Sequence, residues 1–149
     1  MAEGKTFQLK LVALLGEKFN ESVYEVVLPS KNGLISVFPG HEPVVTLINP
    51  GVMAVRRNQE DPDIKLEFLA LSGGIAKITQ EEVVVLADEA ESEREIADKE
   101  AEIAYKRAVA AAESVTDRIE LEEAKRMVQR QAARLKVAEL RRRHREIRK

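Results

Sequence analysis

The stretch "GLISVFPGHEPVVTLINPG", Gly33 to Gly51, decides how the chain is read. Its apolar residues are strand formers, yet Pro39-Gly40 sets a rigid turn among them and Pro43 and Pro50 interrupt the rest. A lone His41 sits in that turn. It reads either as a group present for chemistry or as part of a surface loop held by another molecule, and the surrounding chain has to decide.

On both sides of this stretch, the first 87 residues carry the same pattern. "TFQLKLVAL", "SVYEVVL", "GVMAVRR", "IKLEFLAL" and "EVVVLA" are short, rich in Val, Ile, Leu and Phe, and often alternating. Turn formers separate them at Pro29-Ser30-Lys31-Asn32-Gly33, Asn49-Pro50-Gly51, Asp61-Pro62-Asp63 and Ser72-Gly73-Gly74. Roughly eight or more short strands at such spacing predict an antiparallel β-sandwich or flattened barrel. Nothing between them reads as a crossover helix, which argues against a parallel doubly wound sheet.

At Ala87-Asp88 the pattern changes. No Gly or Pro occurs from Ala87 to Lys149, and Ala, Glu, Lys and Arg dominate, so helix is expected by propensity. Ala97, Ala101, Ala104, Ala108, Ala111 and Val115 form a small-residue seam on a first helix. Ser114-Val115-Thr116 is the available break, and Asp117 with Glu120 three residues on is placed to cap a second helix. There Ala124, Val128, Gln131, Leu135 and Ala138 share one face. A short connection predicts an antiparallel hairpin. The fold class is therefore α+β, with a sandwich over 1–87 and a helical hairpin over 88–149. The hairpin's stripes are mostly Ala, so it is expected to lean on something larger.

Charge is sorted along the hairpin. Asp88 to Glu102 carries a net −6, and Lys125 to Lys149 a net +9. Helix dipoles act only on terminal turns, and the basic run extends much farther. It reads either as a solvated face or as a docking surface for an acidic partner. Arg126, Arg130, Arg134, Arg141 and Lys149 advance by nearly whole turns, so several of them face one way.

Reactive constellations are scarce. The chain has no Cys, which excludes disulfides and thiolate metal sites. "LSGGIAKI" lacks the P-loop pattern and leads into a strand. Ser30, Ser36 and Ser72 have no partner that would make a nucleophile elbow. His41 and His144 lie in different architectures, which argues against a metal site. "MAEGKTF" lacks a basic region followed by an apolar one, so no secretory signal is expected. No apolar run approaches the ~20 residues of a membrane span, so membrane association is expected only through a partner.

"GLISVFPGHEPVVTLINPG", "LSGGIAKITQEEVVVLADEAE" and "QAARLKVAEL" follow one another in the order and spacing of the epsilon subunit of F-type ATP synthases, a family this chain resembles over nearly its whole length. The resemblance implies a β-sandwich of about ten strands followed by a helical hairpin. It implies a non-catalytic rotor subunit, without cofactor, that grips the gamma subunit and the c-ring. The hairpin would permit activity when folded down. Extended toward the catalytic beta and alpha subunits, it would inhibit ATP hydrolysis. Pro39, Gly40, His41 and Glu42 would then be a rotor-facing contact, with Arg126, Arg130, Arg134 and Arg141 meeting an acidic segment of the beta subunit. The implied location is peripheral, on the cytoplasmic face of a bacterial inner membrane or the stromal face of a thylakoid.

Two departures from the family pattern stand out. Ser36 stands where members often carry a second glycine. The [I/L]-D-x-x-R-A motif associated with ATP binding reads Ile96-Ala97-Asp98-Lys99-Glu100-Ala101, so Ala97 replaces the acid and Glu100 reverses the arginine's charge. Sliding to Ile103–Ala108 recovers Arg107 but not the acid. Weak or no ATP binding is expected. A nucleic-acid module using "RRRHREIRK" and a coiled-coil adaptor using the Ala seam are the rival readings. The first is opposed by a net charge of −2 and the lack of aromatics in the basic cluster, the second by a sandwich left without a purpose.

Overall fold

In β1 (Phe7–Ala13) Phe7, Leu9 and Leu11 are buried while Gln8 and Lys10 turn to the other side, the two-residue period of a pleated strand. The computed structural model describes residues 5–148. It continues through β2 (Gly16–Val23), β3 (Glu25–Ser30), β4 (Gly33–Val37), β5 (Val44–Arg56), β6 (Glu67–Ile78), β7 (Glu82–Ala87) and β8 (Ala90–Ser92). Helices α1 (Asp98–Glu113) and α2 (Arg118–Arg148) follow. Met1–Gly4 and Lys149, on which the leader reading and part of the basic face rest, lie outside the described residues.

The sheet runs β2-β1-β7-β6-β5-β3-β4, with β8 added to β6, and does not close. Its pairs are antiparallel except β1 with β7. β5 and β6, 13 and 12 residues long, serve both layers of the sandwich. Val44–Ile48 pairs with Gly74–Ile78, where β7 joins, and Pro50–Val55 pairs with Glu67–Ser72, beside which β3 and β8 lie. The sheet folds over at Asn49-Pro50-Gly51 and Ser72-Gly73-Gly74. Both were expected to be turns. They are bends instead, because the ladder resumes across them, with Ile48 opposite Gly74 and Pro50 opposite Ser72. Counting each bent strand once per layer gives the ten strand segments of the family pattern.

The two layers enclose Leu9, Leu11, Val26, Leu28, Met53, Val55, Leu71, Ile78 and Val83, all essentially inaccessible. Two strands escaped the sequence reading. β2 is polar and mostly exposed, as an edge strand is free to be. β8 occupies a segment expected to be helical, because Ser72 captures it. The Glu89 N–H donates to Ser72 Oγ (2.7 Å), and the Ser72 N–H donates to the Glu89 carbonyl (3.1 Å). Tertiary pairing overrides propensity there.

The helices form the expected antiparallel hairpin. Asp117 caps α2 by accepting the Ile119 N–H at 2.8 Å. Of the seam on α1, Ala101 and Ala108 are buried, whereas Ala97 and Ala111 are exposed. The hairpin lies on one layer of the sandwich. Phe68 and Ala70 of β6 cluster with Ile96, Ala101, Ala133, Val137 and Ala138, flanked by Val52 and Ala54 of β5.

One glycine is indispensable to the bend. A β-carbon on Gly74 would lie 2.0 Å from the Leu86 carbonyl oxygen, at a φ of +152°. Gly74→Ala is expected to cost roughly 3 kcal/mol or more, because backbone rather than a flexible side chain must move. Urea unfolding of the full chain measures this, and a loss below about 0.5 kcal/mol would contradict the geometry.

Candidate partner surfaces

The Pro39–Glu42 turn is rigid. Phe38 meets Tyr24 edge to face at 5.5 Å. Gly40, at φ +83°, donates its N–H to the Gln80 carbonyl at 2.9 Å, tying the turn to the β6–β7 connection. That connection is itself pinned by Thr79, whose hydroxyl accepts the Glu82 N–H at 3.1 Å. His41 is half-buried, and its N–H donates to the Phe38 carbonyl at 3.3 Å. Its Nδ1 lies 2.7 Å from the Glu42 carbonyl oxygen. A carbonyl only accepts, so Nδ1 carries the proton and Nε2 of the neutral ring is left as an acceptor. The Glu42 side chain and Pro43 are exposed. The turn presents a fixed polar contact.

A second surface was missed from sequence. On the layer away from the hairpin, Leu47, Ile75, Leu86 and Val12 stand directly opposite one another across β5, β6, β7 and β1. The first three are 53%, 40% and 51% exposed. The neighbouring row is Val45, Lys77, Val84 and Lys10. The signal was present in "VVVL" of β7, a run apolar on both faces. Such a strand expects cover on both sides, and this chain supplies it on one.

The third surface is the basic side of α2, much of which is turned to this chain's own acids. Arg134, only 12% exposed, bonds Glu91 of β8 at 3.0 Å and Glu100 on α1. Arg141 reaches Asp98 and the Glu93 carbonyl. Arg130 stands 3.6 Å from Glu89, and Arg126 is exposed. Ala97 occupies the N-cap position of α1 with no side-chain bond to the helix. Glu100, one turn on, is held below the usual carboxylate range by its hydrogen bond from Arg134. Burial pushes Glu95 up, but hydrogen bonds from Lys18 and Ser92 outweigh it and keep that carboxyl low too. Among the described residues no cluster of His, Asp and Glu is placed to hold a metal, and no helix is long and apolar enough to cross a membrane.

A rigid polar turn, an apolar sheet face without cover and a lightly docked hairpin define a subunit built for assembly. The profile described as "ATP synthase, Delta/Epsilon chain, beta-sandwich domain" matches residues 6–93. The chain is 43% identical over 97 residues to the ATP synthase epsilon chain of Prochlorococcus marinus (strain MIT 9515), across 62% of this chain and 69% of that one. It is 36% identical over 118 residues to the chloroplastic ATP synthase epsilon chain of Oltmannsiellopsis viridis, across 79% and 86%. A chain in the cryo-EM structure of the Euglena gracilis mitochondrial ATP synthase, OSCP/F1/c-ring in rotational state 1, superposes with a TM-score of 0.73 at 21% identity, over 89% of this chain and 81% of that one. That likeness shows a shared fold. The chain belongs to the ATP synthase epsilon-chain family.

The ion pairs make the closed hairpin sensitive to acid. Glu100's carboxyl on α1 is lowered by Arg134 on α2, so its contribution to the α1–α2 pairing is complete at neutral pH and is lost as pH falls through that lowered value, below the usual ~4.3. Arg134→Ala is expected to shift the hairpin toward undocking by about tenfold at neutral pH, equivalent to ~1.4 kcal/mol. It should also flatten the acid dependence. Hydrogen exchange of the Ala133–Leu140 amides from neutral to acid pH reads both effects, and identical profiles in the two proteins would contradict the assignment.

Proposed function

We propose that this chain is the epsilon subunit of an F-type proton-transporting ATP synthase, a rotor component whose own residues perform no catalysis. In this reading the sandwich is its attachment. The row Leu47, Ile75 and Leu86 is the ground for a gamma-subunit contact: an apolar sheet face left at 40–53% exposure needs a partner to cover it. The Pro39, Gly40, His41 and Glu42 turn, tied to the β6–β7 connection, is the c-ring contact. Rotation is then carried from the c-ring to the catalytic head through a rigid body. Association with the membrane is peripheral, through the complex, on the bacterial cytoplasmic face or the thylakoid stromal face.

The hairpin is the regulator in this proposal, with residues 1–87 as the attachment unit and 88–149 as the mobile one. Folded down, it permits hydrolysis. Extended, it meets the alpha and beta subunits, with Arg126, Arg130, Arg134 and Arg141 turned to an acidic segment of beta. The docked arrangement gives these arginines a second role, since three of them are paired with acids of this chain. Extension must exchange internal carboxylates for those of the partner, so the balance is set by competition between similar ion pairs. Glu100 supplies Arg134 with an anion from within the chain. Docking therefore requires no nucleotide at the Ala97–Glu100 segment, in keeping with the loss of the acid and arginine from that motif.

The sheet face carries the proposal, so it is tested first. Leu47→Glu with Leu86→Glu alters only exposed side chains and is expected to leave the fold intact by circular dichroism. Recovery of gamma, c, alpha and beta subunits from detergent-solubilised membranes through a tagged chain should fall at least about tenfold. Full recovery by the doubly substituted chain would overturn the assignment of this face. Absence of these subunits with the unsubstituted chain would overturn the function itself.

A chain ending at Glu93 tests the regulatory half, because it keeps β8 and its bonds to Ser72. It is expected to unfold cooperatively, to assemble, and to release ATP hydrolysis from inhibition. A fragment without a cooperative transition would contradict the two-part organisation.

A further inference from the structure

The sheet path ends on β2 at one side and on β4 at the other, and the two ends are built differently. β2 carries Glu17, Lys18 and Glu21 along its length, charges of the kind that keep a free strand edge from pairing. β4, Gly33-Leu34-Ile35-Ser36-Val37, has no charge, no proline and no bulge against β3. Val37 and Ile35 turn toward the core, whereas Leu34 and Ser36 are exposed, Leu34 at 74%. Pro29 stands opposite Leu34 in the β3–β4 ladder and has no N–H to exchange. Leu34 therefore occupies a non-bonded position, and its N–H and carbonyl, with those of Ser36 two residues on, point away from β3. No turn or loop hydrogen bond takes them among the described residues.

We propose that this edge pairs with the same edge of a second copy of the chain, antiparallel about a two-fold axis at Ile35. In that register Leu34 of each copy stands opposite Ser36 of the other, and each such pair exchanges both of its free backbone bonds. The strand is its own complement. Leu34 then lies over the small Ser36 side chain and diagonal to Phe38, which is 41% exposed. Pro39 falls at a non-bonded position, where its missing N–H costs nothing. Lys31 lies opposite Pro39, at the start of the turn that carries Glu42. Both Lys31 and Glu42 are exposed and form no ion pair among the described residues, so opposite charges approach at each end of the pair. An edge of 5 residues falls short of the ~1,000 Å² of a durable interface, so the dimer is weak and reversible. It also closes on itself, because pairing consumes the edge in both copies and the charged β2 edge does not extend the sheet. Pairing covers the flank of the Pro39–Glu42 turn and so describes the chain before assembly. The inference stands on the strand edge and not on the proposed function.

The test is sedimentation equilibrium of the full chain from about 5 to about 500 µM, where a reversible dimer with a Kd of roughly 10–300 µM is expected. Ser36→Pro removes an outward N–H and leaves the β3 ladder its bonds, since proline is tolerated at such an edge position. Leu34→Lys places a charge on the edge. Each should weaken the dimer at least about tenfold, and Leu34→Lys, confined to an exposed side chain, decides the matter if Ser36→Pro disturbs the strand. Leu15→Lys, at a leucine 97% exposed on the β1–β2 turn, should leave the dimer unchanged, which separates edge pairing from general apolar association. In the unsubstituted protein, hydrogen exchange at Leu34 and Ser36 should slow as the concentration rises through the same range, while the β2 amides keep their rates. A monomer throughout, a dimer that Leu34→Lys leaves intact or that Leu15→Lys weakens equally, or dimerisation without added protection at Leu34 and Ser36 would each overturn the proposal.

Discussion

The backbone of Gly74 passes so close to the Leu86 carbonyl that a β-carbon there would lie 2.0 Å from its oxygen, and the rest of the architecture depends on that approach. It lets β6 bend without leaving the ladder, with β5 bending beside it at Pro50-Gly51, where a β-carbon on Gly51 would meet Pro29 at 2.7 Å. Two strands then serve both layers of the sandwich. The large apolar side chains close between the layers, and each layer keeps an outward face of different character. One receives the hairpin. The other presents Leu47, Ile75 and Leu86 to whatever the chain assembles with.

The two packing surfaces differ in kind. Between the layers lie Leu, Ile, Met and Val. Under the hairpin the buried residues are largely alanines, with Ile96, Phe68 and Val137 as the larger anchors. At about 0.8 kcal/mol per buried methylene, alanine contributes little compared with leucine. The hairpin is therefore held by a thin apolar contact and a set of ion pairs. Arg134 is the most connected of these, joining the segment after β7 to α1 through Glu91 and Glu100. Such an interface fixes one register of docking with little apolar burial, the kind of contact that the proposed release of the hairpin requires.

The sandwich was legible because alternation and β-branched residues mark strands whatever their partners. The bends were not, because Asn49-Pro50-Gly51 and Ser72-Gly73-Gly74 carry the same residues that close a turn. Only the pairing on either side shows that the strand continues. β2 was hidden by its polarity and β8 by propensity, and each is fixed by neighbours distant in sequence. At the surfaces, the rigidity of Pro39–His41 followed from its residue types, whereas the tie to Gln80 required the fold. The basic run on α2 was visible, but the acids that Arg134 and Arg141 bond lie 34 to 43 residues away, a distance at which sequence order carries no pairing information. The Leu47–Ile75–Leu86 row needed the strand register, because its members come from three different strands.

The docked hairpin is tested most directly by a distance between its two halves. The chain contains no cysteine, so two introduced cysteines carry spin labels without interference. Asn49 and Gln129 line one shallow groove between the bend in β5 and α2. With Asn49→Cys and Gln129→Cys labelled, pulsed electron resonance on the isolated chain should give one narrow, short-distance population. The same pair combined with Arg134→Ala should give a broader distribution extending to longer distances. A broad, long-distance population in the labelled chain that retains Arg134, or distributions that Arg134→Ala leaves unaltered, would contradict a hairpin held to the sandwich by that arginine.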